Sequence, residues 1–114
     1  MVPLGATEFH VLLVLLDGAR YGYAIMKAVE EESGGRIVPE IGSLYRLLTR
    51  LVSEGLVEET AAPRGGAVPH PGRDRRYYRL TAAGRAAVRA EAKRLREVLE
   101  LAASRAVLPR RGLP

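Results

Sequence analysis

Pro39-Glu40-Ile41-Gly42-Ser43-Leu44-Tyr45-Arg46-Leu47-Leu48-Thr49-Arg50-Leu51-Val52-Ser53-Glu54-Gly55-Leu56-Val57 is the stretch on which the rest of the sequence turns. At about 100° per residue, Leu44, Leu47, Leu48 and Leu51 fall on one narrow stripe, and Gly42, Tyr45, Arg46, Thr49, Arg50 and Ser53 fall on the other side. The leucines face a core, which leaves the second face open to a partner. That face carries two arginines, two hydroxyl residues, a tyrosine and no acid, a set suited to phosphates and base edges in a DNA major groove. Glu54 falls near the end, and Gly55 supplies the left-handed residue that stops the helix. An ordinary amphipathic surface helix would carry the same stripe, so the flanking segments decide between the two.

On the C-terminal side, residues 56–60 read as a strand leaving the helix and residues 75–80 as a second strand rich in tyrosine and arginine. Between them stand Pro63, Gly65, Gly66, Pro69, Pro71 and Gly72, a composition that rules out a regular strand and suits a mobile hairpin tip. Residues 64–79 hold five arginines against one acid, Asp74, with Tyr77 and Tyr78 interleaved. The segment therefore reads as a basic wing, against the plainer reading of a hairpin with a solvated charged tip. Gly65-Gly66 is not a phosphate-binding loop, because neither a strand-to-helix glycine fingerprint nor Gly-Lys-Ser/Thr accompanies it.

Thr81 then caps a long helix running to about Ser104, built of alanine, leucine, glutamate, lysine and arginine. Val88, Ala92, Leu95, Leu99 and Ala102 follow the four-three spacing of a heptad seam, widened by Val98 and Leu101. Two heptads do not make an independent coiled coil, but they are enough for a contact between two copies. Packing onto the chain's own core is the competing reading, and so long a terminal helix would outrun so small a core. The boundaries follow: a winged helix-turn-helix over residues 1–80, a dimerisation helix over 81–108, and a disordered tail over 109–114.

On the N-terminal side, Thr7 is the expected N-cap of a strongly apolar helix over residues 9–16, with Glu8 in its first turn favouring the helix dipole. Its apolar surface is wider than one stripe, so Leu12 and Leu16 are candidate contacts to a second subunit. After a turn over residues 17–20, Tyr21, Ile25, Ala28 and Val29 recur at helical spacing until Ser33-Gly34-Gly35. Met26 and the tyrosines there read as helix-contact residues, Glu30-Glu31-Glu32 as a solvated helix end, and Arg36-Ile37-Val38 as a fragment of strand.

Composition bounds the function. With 114 residues the chain makes one domain with a modest core, and 18 basic against 13 acidic residues give a net charge of +5, which favours a polyanionic partner. The absence of cysteine excludes a disulfide framework and a thiolate metal site. His10 and His70 cannot hold a metal by themselves, so neither metal nor cofactor is expected. The apolar run over residues 11–16 is far shorter than the roughly 20 residues needed to span a bilayer, and Glu8 stands where a signal peptide would be basic. No membrane partner and no targeting segment are expected, and the cytoplasm is the default compartment. No Ser/His/Asp set or nucleotide loop can be assembled, so an enzyme is not expected.

The order helix, helix, recognition helix, two-stranded wing, long helix is a mainly α (α+β) winged helix-turn-helix followed by a dimerisation element. Particular strings go further. Tyr21-Gly22-Tyr23-Ala24-Ile25, Gly42-Ser43-Leu44-Tyr45-Arg46-Leu47-Leu48, Glu54-Gly55-Leu56-Val57 and Arg75-Arg76-Tyr77-Tyr78-Arg79-Leu80-Thr81-Ala82-Ala83-Gly84 closely resemble the PadR family of bacterial transcription regulators. The resemblance spans residues 7 to about 104. It implies a homodimeric repressor of the short subfamily whose first and last helices form the dimer interface, with Ser43, Tyr45 and Arg46 near the operator and Arg75-Arg76 at its backbone. It also implies a small-molecule effector at the dimer interface. The chain departs from the family in lacking tryptophan, in offering Leu95 where stacking relatives carry aromatics, and in the Pro-rich insert around Val68-Pro69-His70-Pro71.

The expected DNA-binding set is thus Ser43, Tyr45, Arg46, Thr49, Arg50, Arg73, Arg75 and Arg76, and the expected dimer set Leu12, Leu16, Val88, Ala92, Leu95, Leu99 and Ala102. The expected partner is double-stranded DNA read as an inverted repeat. The alternative is a protein-interaction winged helix whose Tyr45 and Arg46 face binds an acidic protein.

Overall fold

The computed structural model describes residues 3–62 and 76–105. In chain order these form α1 (Ala6–Val14), a 3-10 turn (Leu15–Asp17), β1 (Arg20–Tyr21), α2 (Gly22–Glu32), α3 (Ile41–Ser53), β2 (Val57–Thr60), β3 (Tyr77–Leu80) and α4 (Ala82–Ser104). The three strands make one antiparallel sheet in the order β1-β3-β2. This is the mainly α winged helix-turn-helix with a long C-terminal helix that the sequence pattern predicts. The tail at residues 109–114 lies outside the described residues.

Helix α1 starts two residues earlier than Thr7 predicts. Gly5 is its N-cap, and because glycine has no side chain to offer, Glu8 reaches back so that its Oε1 accepts from the Gly5 N–H at 2.8 Å. The helix tightens into the 3-10 turn and ends at Gly18. Helix α2 stops at Ser33, whose Oγ accepts from the Ile37 N–H at 2.9 Å. That bond takes the donor a strand would need, so the strand expected at Arg36-Ile37-Val38 does not form, and Ile37 packs instead against the core.

Of the four leucines in the α3 stripe, Leu44, Leu48 and Leu51 are fully buried and Leu47 is half-buried. They meet Val11, Leu15, Ile25 and Val29 from α1, its 3-10 turn and α2, and Val57 and Tyr78 from the wing strands. Tertiary packing of this kind, more than helix propensity, fixes a helix of 13 residues.

The join between wing and long helix is made by close approach. Thr81 caps α4 by accepting from the Gly84 N–H at 3.0 Å, while its own hydroxyl donates to the Gly55 carbonyl at 2.6 Å. A β-carbon on Gly84 would lie 2.1 Å from the Leu56 carbonyl oxygen, so only glycine lets α4 press this closely on the start of the wing.

Candidate nucleic-acid interface

Because the leucine stripe is pinned to the core, α3 carries Ser43, Arg46, Thr49 and Ser53 on its exposed side. The Arg46 Nη2 donates to Ser43 Oγ at 3.0 Å, and the Thr49 hydroxyl donates to the Tyr45 carbonyl at 2.9 Å. Each polar tip is thus held near the helix by one local bond; Arg46 keeps its other guanidinium N–H groups and Ser43 its O–H as donors, whereas the Thr49 hydroxyl, its one proton committed to Tyr45, can only accept.

Two members of the expected DNA-binding set are more constrained than their spacing implies. The Arg50 guanidinium pairs with the Glu8 carboxylate of α1 and lies 4.0 Å from Glu54 Oε2, so this cation stands between two acids. Tyr45 is half-buried, with its ring in the space beside Gly22 at the start of α2. A β-carbon on Gly22 would lie 2.5 Å from the Tyr45 hydroxyl oxygen. The Arg76 guanidinium stands 5.9 Å from the centroid of the same ring. Tyr45 therefore belongs to the packing that sets α3, with only its edge facing out.

The wing is less basic than its own segment suggests, because the neutralising acids come from the other strand. Register places Glu58 opposite Arg79, whose Nε donates to Glu58 Oε1 at 2.6 Å, and Arg76 lies 3.4 Å from Glu59. Arg73 and Arg75 lie outside the described residues. So does the Pro-rich insert. Strand β1, which no periodicity could reveal in two residues, ties the wing to the helices through Arg20↔Tyr78 and Tyr21↔Tyr77, with the Tyr21 and Tyr77 rings 5.6 Å apart.

Among the seven residues proposed for a dimer contact, the structure separates inner from outer. Leu12 is 0% and Val88 5% exposed, both packed within the chain's own core. Phe9 and Leu13 of α1 are half-buried against the core, and Leu16 in the 3-10 turn that follows is exposed. On α4 every buried residue, Gly84, Ala87, Val88 and Glu91, lies in the first half. Beyond them Leu95 is 39%, Val98 48% and Leu99 57% exposed, Ala92 is exposed and Ala102 half-buried.

Glu91 was not legible as a core position. It faces inward beside Val88 where the heptad reading places Ala92, and its carboxylate accepts from Arg94 Nε at 3.0 Å and Nη2 at 2.6 Å. The bond from Arg94 holds the carboxyl below the usual range, burial opposes this, and the backbone of Leu4 adds a further lowering contact. His10 Nδ1 is buried with no hydrogen-bond partner. Among the described residues no group of acids and histidines could hold a metal ion, and no helix is long and apolar enough to cross a membrane.

A helix pair supporting an exposed polar recognition helix, a two-stranded wing and a long final helix define a winged helix-turn-helix regulator. Residues 11–90 match the family model described as the transcriptional regulator PadR-like family, and the chain belongs to that family, whose members are transcription regulators and not enzymes. A PadR family transcription regulator from a hypervirulent Clostridium difficile strain superimposes with a TM-score of 0.69 at 21% identity, covering 88% of this chain and 97% of that one. Bacillus subtilis PadR in complex with operator DNA gives 0.60 at 22% identity, covering 75% of this chain and 46% of that one. Among curated sequences, an uncharacterized 37.1 kDa protein in a Streptomyces fradiae transposon is 42% identical over 85 residues. The match covers 75% of this chain and about a fifth, 21%, of that relative's length.

Proposed function

We propose that the chain is a homodimeric repressor that binds an inverted-repeat operator through α3 and lets go when a small molecule occupies the dimer interface. The observation that carries DNA recognition is the exposed row Ser43, Arg46, Thr49 and Ser53 on a helix whose opposite face is wholly committed to the core. Donors on Arg46 and Ser43, with the hydroxyl oxygens of Thr49 and Ser53 as acceptors, fit base edges and phosphates. Arg76 and the wing arginines Arg73 and Arg75 supply phosphate contacts. The Bacillus subtilis relative solved with operator DNA supports the same class of partner. Such a protein works where the chromosome is, in the cytoplasm.

The dimer reading is supported by the outer half of α4, where Leu95, Val98 and Leu99 stand uncovered, together with the exposed Leu16 in the 3-10 turn after α1. Two recognition helices related by a two-fold axis read half-sites whose centres are about 10 bp, or a multiple of that, apart. The effector reading rests on the family resemblance and on the apolar character of that seam. Selection from random DNA tests the whole. It is expected to return an inverted repeat whose affinity falls steeply with salt through counterion release. Failure to enrich any sequence, with binding instead to acidic proteins, would refute it.

A further inference from the structure

Gly22 and Gly84 have evident steric reasons in the packed Tyr45 ring and the Leu56 backbone, but Gly42 has none within the fold. It lies inside α3 with ordinary right-handed backbone, so no left-handed conformation calls for glycine. Nor is there a close neighbour to exclude a side chain. A β-carbon on Gly42 would lie 3.3 Å from Glu40 Oε1 and 3.7 Å from Arg46 Nη1, both at the far ends of exposed, flexible side chains that can yield. Alanine at this position would make a better helix. A half-exposed glycine in the first turn of α3, beside the exposed row, leaves room for something outside the chain.

The borders of that room say what it receives. On one side is the Glu40 carboxylate, which makes no hydrogen bond or ion pair among the described residues and can only accept. On the other is the Arg46 guanidinium, steered to the first turn of α3 by its bond to Ser43. In the major groove, guanine presents two acceptors, N7 and O6, and the cytosine paired with it presents a donor, N4–H, beside them. An arginine and a carboxylate flanking a gap match that row of acceptor, acceptor, donor.

We propose that Glu40, Gly42 and Arg46 form a notch that admits the major-groove edge of one G·C pair, Arg46 donating to guanine and Glu40 accepting from cytosine N4–H. The missing side chain lets the helix backbone approach the pair closely enough for both contacts. This deepens the DNA-binding function proposed above and depends on it.

The test titrates wild type and Gly42→Ala against every single-pair variant of the selected half-site, with thermal melts of both proteins. Wild type should discriminate roughly tenfold for a G·C pair at one position of each half-site. Gly42→Ala should raise Tm by roughly 2–5 °C, lose discrimination at that one position, and keep it elsewhere. A fall in Tm would make the glycine structural and overturn the notch, as would unchanged discrimination or an equal loss for every sequence. Failure of wild type to select any sequence would instead refute DNA recognition itself, and the notch with it.

Discussion

Replacing Leu95 by glutamate should separate the two copies while leaving the winged helix folded. Leu95, Val98 and Leu99 each keep about half their surface exposed, at 39%, 48% and 57%. Fully burying such a side chain is worth about 1.5–3 kcal/mol, so covering the remaining half contributes roughly 1 kcal/mol each. Three such residues on each of two copies give about 6 kcal/mol, which lies near the lower end of the roughly 4–15 kcal/mol that association costs. In the proposed dimer, the α4 seam alone would then be weak, and Phe9 and Leu13 of α1 with Leu16 of the 3-10 turn would supply the rest. In such a balance Leu95→Glu removes about 2 kcal/mol of burial across the two copies and puts two like charges in the seam, each costly to desolvate. The dimer dissociation constant should rise by at least about 100-fold. Light scattering reads the mass, a thermal melt checks the fold, and operator titration should show an affinity drop of orders of magnitude, because the second half-site is no longer held at high effective concentration. A monomeric wild type, or a monomeric variant with undiminished operator affinity, would refute the reasoning.

Other substitutions probe separate parts of the same account. Arg46→Ala should cost about 1–3 kcal/mol at a single operator position, measured by titration of point-substituted sites, whereas an equal loss on all DNA would make Arg46 a phosphate contact. Gly84→Ala should destabilise the fold by about 2–3 kcal/mol, roughly 10 °C in Tm, since its methyl would meet the Leu56 carbonyl at 2.1 Å and that contact is backbone. Glu91 has a folded pKa below its ordinary value, so its contribution is present at neutral pH and is lost as pH falls through the folded value. Glu91→Gln should accordingly flatten the acid limb of a pH-stability profile, and a limb as steep as wild type would show that the carboxylate carries none of it.

Element order and the α3 stripe were readable because a leucine at each turn has one physical use, and because Gly55 and Thr81 punctuate the chain where the helices stop and start. What escaped the sequence was pairing between distant segments. Strand β1 is two residues long and exists only because Tyr77 and Tyr78 lie beside it. Arg50 reads as an outward cation until Glu8, 42 residues away, is brought against it. The wing reads as strongly basic because Glu58 and Glu59 stand in the opposite strand. On α4, Ala92 and Glu91 are neighbours in sequence, and binary patterning chose the apolar one, whereas the bidentate bond from Arg94 lets the acid turn inward. That Leu12 packs into the chain's own core was hidden for a similar reason: a helix apolar on several sides does not announce which side its own core takes.

Tyr45 and Gly22 set a limit on rotation. A groove-reading helix can slide, tilt or roll, and rolling is the most damaging, because side-chain tips stand about 5–6 Å from the axis. A roll of about 20° would carry the Arg46 guanidinium nearly 2 Å sideways, enough to break a hydrogen bond. With the Tyr45 ring already filling the place of the missing Gly22 side chain, a roll toward α2 drives the ring into backbone. The angular setting of the exposed face of α3 is thus stopped in that direction, and a bulkier residue at position 22 would shift its phase while leaving every residue of that face unchanged.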